Sequence, residues 1–244
     1  MEFVEDGVPI TKYCDEHALS VRQRLELLLP ISDAIQHAHR RAIIHRDIKP
    51  SNILLTTQDG KIAPKVIDFG IAKAMDEGLE VETTQTGQVI GTPGYMSPEQ
   101  ADNRPLDTRT DVYSLGVLLY ELLVGALPLD LAAMAGAGVF ELLLKIKEEE
   151  PQTPSTRIQR VSDSAEKARC RRTDVRSLRK QLKGDLDWIV MRALEKDPAR
   201  RYPSVSDFSL DIARYLRHEP VVARPVVSSE LFFIPRVMNK RGRE

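Results

Sequence analysis

The chain has 244 residues, 42% hydrophobic and 29% charged, with a formal net charge of -1. These values fit an ordinary globular protein with one sizeable core, and near neutrality excludes a chain-wide field for nucleic acid or membrane. Two cysteines, Cys14 and Cys170, lie far apart and match no metal spacing, which argues against a disulfide framework and for a reducing compartment.

No signal peptide or membrane-length apolar run is present, so a cytoplasmic location and no membrane segment are expected for this chain, with an anchor elsewhere in a full-length protein left open. The first helix opens on Ser20, with Gln23 three residues later as a capping box. Leu25, Leu28, Leu29, Ile35 and Ala38 recur along it to about Arg40. His37 and His39 lie on this helix, but an i, i+2 pair points to different faces, which favours a structural role over a metal site.

Short strands are predicted at Ile53 to Leu55 and Lys65 to Ile67, joined through Gln58-Asp59-Gly60 as a hairpin that presents Asn52 and Asp68 from its two ends. Val112 to Val124 is apolar nearly all round and reads as a buried central helix. From Glu148 to Lys183 large apolar residues are few, and from Arg157 onward ten basic residues face three acidic ones. That composition predicts a solvated, mobile insertion whose Arg-rich patch is open to nucleic acid or an acidic partner; with no interleaved aromatics, no specific nucleic acid is expected. Helices follow at Asp185 to Leu194 and from Ser204, with Asp207 three residues on. The tail from Pro220 to Glu244 reads as a partly disordered linker.

The chemistry is concentrated in His45-Arg46-Asp47-Ile48-Lys49-Pro50-Ser51-Asn52, in Asp68-Phe69-Gly70, and in Gly91-Thr92-Pro93-Gly94-Tyr95-Met96-Ser97-Pro98-Glu99. Phosphoryl transfer needs an in-line hydroxyl, metal ions on the phosphate oxygens and neutralised charge. Asp47 suits the acceptor of the hydroxyl proton, and Asn52 and Asp68 offer hard oxygen ligands for Mg²⁺. Together these motifs resemble the carboxy-terminal lobe of a eukaryotic-type Ser/Thr protein kinase of the bacterial kind, over residues 1–219. The fold implied is mainly α, a helical bundle with a small β-hairpin carrying the catalytic and metal loops.

The resemblance implies a protein substrate modified on Ser or Thr, because Lys49 stands where Ser/Thr kinases contact the transferred phosphate. It places Thr92 beside Asp47 and Lys49, pairs Glu99 with Arg201, and has Asp111 hold the catalytic-loop backbone. It stacks His45 with Phe69 beside Gly70, and makes Arg46 the partner of a phosphate on Thr83, Thr84 or Thr86. ATP and Mg²⁺ are the implied cofactors, with Glu2 and Val4 on the adenine hinge and Leu54 on the pocket floor. A dimer through kinase lobes is compatible with it. Ser97 departs from the family's usual alanine.

The glycine loop and strand lysine that would cover ATP are expected upstream of Met1, through a mis-assigned start or a truncated gene. Gly136-Ala137-Gly138 and the lysine of Ile62-Ala63-Pro64-Lys65 lie in the wrong places to replace them. Residues 1–244 alone are therefore expected to transfer negligible phosphate. The alternative to a kinase is a noncatalytic docking or scaffold module, for which Asp47, Asn52 and Asp68 have no chemical need.

Overall fold

A computed structural model describes residues 7–58, 61–69, 93–130 and 138–225. Its helices surround α4 (Arg109–Val124), whose sequence carries apolar residues on every face. All but two of its sixteen residues are buried, so it forms the post against which the helices Ile10–Glu16, Val21–His39, Pro154–Arg157, Asp185–Ala193 and Val205–Leu216 pack. Gly116 lets α9 (Asp185–Ala193) come close, because a Cβ there would lie 2.7 Å from the Ala193 Cβ.

α1 (Ile10–Glu16) and α2 (Val21–His39) precede the loop of residues 45–52. The α2 start has the capping box read from Ser20 and Gln23. The hairpin is longer than its sequence suggested: β2 (Ile53–Gln58) pairs antiparallel with β3 (Lys61–Val66), from Ile53 opposite Val66 to Gln58 opposite Lys61. A third strand, β1 (Val8–Pro9), adds to the edge of β2, and its two residues are too short a run to leave a periodic signal. α10 (Val205–Leu216) packs on α2 and α4, while α3 (Pro98–Ala101) and α5 (Val139–Glu148) meet each other in a second, smaller apolar cluster around Ala101, Leu129 and Ile146.

The segment 148–183 departs most from its sequence reading. It folds as α6 (Pro154–Arg157), α7 (Ser164–Arg169) and α8 (Val175–Leu182), not as a solvated loop. Ile158, Ala168, Leu178 and Leu182 are fully buried and belong to the same core as α4. Ser155 anchors the start of α6 by donating from its amide (2.9 Å) and hydroxyl (2.6 Å) to the buried Asp187 carboxylate of α9.

One of the charges that argued for exposure is itself an internal fastener. Arg171, 2% exposed, donates to the carbonyls of Leu123 (2.6 Å), Glu121 (3.1 Å) and Lys167 (2.8 Å). Arg24 of α2, fully buried, reaches the neighbouring Leu122 carbonyl at 3.2 Å and also binds the carbonyls of Cys14 and Cys170. The last carbonyls of a helix have no intrahelical partner, and two guanidiniums supply donors to those of α4. Asp15 lies 2.8 Å from Arg24 and 3.5 Å from Arg171, and burial still pulls the Arg171 pKa down to about 10. At the cap, Gly125 adopts φ 79°, and a Cβ there would lie 2.5 Å from the Lys167 side chain.

The chain beyond Pro220 does not leave the core at once. Asp211 of α10 accepts the amides of Val222 and Ala223 at 2.8 Å each, and Arg224 pairs with Asp185 at 3.0 Å. Among the described residues no helix is long and apolar enough to cross a membrane.

Candidate active site

The site is organised from the start of α4. Asp111, in its first turn and fully buried, accepts three hydrogen bonds: from the His45 amide (2.8 Å), the Arg46 amide (2.9 Å) and His39 Nε2 (2.7 Å). A carboxylate is favoured there by the unpaired amides and positive dipole end of the helix. Arg46 has φ 66°, a left-handed backbone that an arginine adopts at a cost, and the Asp111 bonds to its own amide and to that of His45 hold the conformation from one side while Gln100 holds its carbonyl from the other.

Asp47 follows directly. Its Oδ2 accepts from Asn52 Nδ2 at 3.1 Å and lies 2.9 Å from Lys49 Nζ, while Asn52 Nδ2 also donates to the Asp47 carbonyl at 2.8 Å. Pro50 starts the 3-10 turn that swings Asn52 back toward Asp47 and leads into β2. Asp47 and Lys49 keep about a quarter of their side-chain surface exposed, so the pair is open to an incoming group. The Ile67 amide donates to the Asn52 carbonyl at 2.9 Å, which brings the residue before Asp68 against Asn52 at the hairpin's open end. Asp68 is exposed and adopts φ 54°.

His45 ties the loop to that end. Its Nε2 donates to the Ile67 carbonyl at 3.0 Å, its Nδ1 accepts the Asp47 amide at 3.4 Å, and its ring lies 4.7 Å from that of Phe69. Those partners require the neutral ring. Burial holds the His45 pKa below its ordinary value, overcoming the opposing pull of Asp111 and Asp47. Below about pH 6.5 the unfolded chain therefore takes up a proton that the folded one refuses. The His45 contribution to stability is full above that pH and declines as the pH falls through the folded value. Urea midpoints compared across this range should fall less for His45→Gln than for the unaltered protein; equal slopes would overturn this.

Behind the loop, Arg201 donates both terminal nitrogens to Glu99 at 2.7 Å, and Thr110 donates its hydroxyl to the same carboxylate at 2.9 Å. Burial alone would raise the Glu99 carboxyl, and the Arg201 bonds and charge override it to leave the pKa below the usual range. Next to Glu99, Gln100 donates from Nε2 to the Arg46 carbonyl at 2.8 Å, linking α3 to the catalytic loop. Ser97 caps α3 through a box with Gln100, which gives this serine a task an alanine could not perform. Tyr95 meets α4 twice, through its hydroxyl on Glu121 and its carbonyl on Ser114 Oγ.

Among the sequence-derived site residues, the structure gathers Asp47, Lys49 and Asn52 with His45, Arg46, Phe69 and Asp68 around the hairpin's open end, supported by Asp111. Leu54 is half-buried on β2, opposite Lys65 and Pro9. Glu2, Val4, Gly70, Thr83, Thr84, Thr86 and Thr92 lie outside the described residues. Sequence reasoning missed Gln100 and Thr110, and gave His39 a structural role without its Asp111 partner. The Ser97/Gln100 spacing was a usable capping signal, whereas His39 finds its carboxylate 72 residues away and leaves no local trace.

The side-chain oxygens available to a cation at the hairpin's open end are those of the Asn52 amide and the Asp68 carboxylate. Among the described residues no group of three His, Cys, Asp or Glu side chains is placed to hold a metal. This donor set fits Mg²⁺, which keeps several waters and is shared with phosphate oxygens, better than it fits a transition metal.

A model of the protein kinase domain matches residues 1–208. The chain belongs to the protein kinase family. This kinase chain is 38% identical over 224 residues to a probable serine/threonine-protein kinase of Streptomyces coelicolor, covering 91% of its own length and 29% of the relative's. Against serine/threonine-protein kinase PknB of Mycobacterium tuberculosis it is 35% identical over 230 residues, 93% of its own length and 32% of PknB. The chain thus spans about three-tenths of these curated relatives. The crystal structure of the Mycobacterium tuberculosis PknI kinase domain superposes with a TM-score of 0.56 at 24% identity, over 88% of this chain and 63% of that one, a likeness of fold.

Proposed function

We propose that this chain carries the hydroxyl-acceptor and metal side of a phosphoryl-transfer site that uses ATP and Mg²⁺ to phosphorylate Ser or Thr in proteins. The observation that carries the reading is the Asp47 carboxylate, touched on Oδ2 by both the Asn52 amide and the Lys49 ammonium. Asp47 orients the attacking hydroxyl and accepts its proton late in transfer. Lys49, held beside it, supplies positive charge to the moving phosphoryl group, and Thr92 would steady both. Asn52 and Asp68 would hold Mg²⁺, which when bound neutralises charge on the phosphate oxygens. His45, Arg46 and Asp111 fix the loop so that Asp47 needs no rearrangement to act.

The test is phosphate transfer from radiolabelled ATP to a Ser/Thr protein substrate by the protein at its full natural length. Asp47→Asn removes the base while leaving an oxygen for the neighbouring donors, and the rate should fall by roughly 10²- to 10⁴-fold. An unchanged rate would refute the role of Asp47. Mg-ATP binding without turnover in the unaltered protein would favour a noncatalytic docking module instead.

A further inference from the structure

Exposed cations on this protein commonly sit against carboxylates. Arg22 pairs with Glu26, Arg104 and Lys147 with Asp102, and Arg217 with Glu219. The outer face of α7 and α8 departs from that pattern. Arg169, Arg172, Arg176, Arg179, Lys180 and Lys183 are all exposed, and none has a salt-bridge partner among the described residues.

Three of these cations, at positions 176, 179 and 180, follow the i, i+3, i+4 spacing that forms one stripe along α8, and Lys183 follows at its C-cap. The stripe is rigid at its base, because Leu178 and Leu182 of the same helix are fully buried and Asp174 caps its start with two amide bonds. Such clustering raises the local positive potential, and no carboxylate among the described residues lies within ion-pair distance of these six cations, so it costs self-repulsion that a bound anion would relieve.

We propose that this stripe is a docking surface for an acidic polypeptide segment. Arginine predominates among the six, and its planar fork binds carboxylates in pairs, the chemistry of protein interfaces. The apolar side of α8 is wholly committed to the core, so no amphipathic face is left to enter a lipid surface. No exposed aromatic side chain lies along the stripe to stack on bases.

The surface lies remote from the transfer site. Arg171, between Arg169 and Arg172, grips the far end of α4, about 18 Å from Asp111 by the rise of the helix. Resting on the proposed kinase reading, the partner is a Ser/Thr substrate whose acidic stretch lies at least about five extended residues from the modified hydroxyl.

The test needs no turnover. Fluorescence anisotropy of a fluorescein-labelled oligoglutamate peptide is followed with the whole chain, with the Arg176→Glu, Arg179→Glu double variant, and with Arg104→Glu as a charge control at the opposite end of α4, where the Arg104 amide bonds the Glu99 carbonyl. Binding at low salt that weakens about tenfold or more in the double variant, is little changed by Arg104→Glu, and declines with added salt is the expected result. An equal loss in the control, no binding at low salt, or tighter binding of duplex DNA or of phosphatidylserine vesicles would overturn the proposal. Thermal unfolding of the variants should match the unaltered chain, since the altered side chains are exposed. Asp47→Asn should bind the peptide normally, so a failed transfer assay and a failed docking assay are separable.

Discussion

Arg201→Met should destabilise the fold by roughly 3 to 5 kcal/mol in equilibrium denaturation, a large part of the stability of a domain this size. The side chain is fully buried, donates twice to Glu99, and also binds the carbonyls of Glu195 (2.7 Å), Lys196 (3.1 Å) and Arg109 (3.0 Å). Methionine fills similar space but leaves the Glu99 carboxylate buried without a counter-charge, with the Thr110 hydroxyl and its own backbone amide as remaining donors. The opposite change, Glu99→Gln, should cost less, because three backbone acceptors remain for Arg201. A double variant that removes both charges should recover part of the loss. If Arg201→Met costs under about 1 kcal/mol, the pair is not the lock described. The damage should also reach the site, since Glu99 sits beside Gln100 on α3 and Gln100 holds the Arg46 carbonyl.

Asp111→Ala is expected to remove roughly 3 kcal/mol or more, because three donors lose a charged acceptor and two of them are backbone amides in a buried loop. Its effect on turnover should exceed its effect on nucleotide affinity. Freed of those bonds, Arg46 relaxes from φ 66° and carries Asp47 away from Asn52 and Lys49. Positioning errors of that kind reduce rate far more than binding. Measured kcat and KM for ATP in the full-length protein would show it, and a variant that loses ATP affinity while keeping kcat would contradict the assignment. Asp111→Asn separates charge from shape. It keeps an acceptor on one side only, so it should retain more stability than the alanine variant while still impairing turnover.

Much of this architecture could be read from local signals. Ser20 with Gln23 and Ser204 with Asp207 cap their helices as their side chains propose, and the all-round apolar run of α4 declares a buried helix. The hairpin and the octet ending at Asn52 were legible because each is a continuous stretch of chain. What escaped is non-local. The segment 148–183 looked solvated because its charges were counted without partners. Arg171 is charged to serve carbonyls on another helix, and Leu178 and Leu182 supply only one apolar residue per turn. His39 was read as structural from its spacing, but its attachment to Asp111 depends on how α2 crosses α4. The start of the tail was similarly read from its prolines, whereas Asp211 captures two of its amides.

The two ends of α4 are held by groups of opposite sign, a carboxylate where the helix dipole is positive and two guanidiniums where it is negative. Force on either end is therefore transmitted along one stiff rod. Surgical shortening of the chain between α5 and α9, attractive to a protein engineer because it looks like surplus surface, would unseat the rod from the end opposite the chemistry. The catalytic loop would register that change as a tilt of Asp111, at a distance and without any contact between the removed residues and the site.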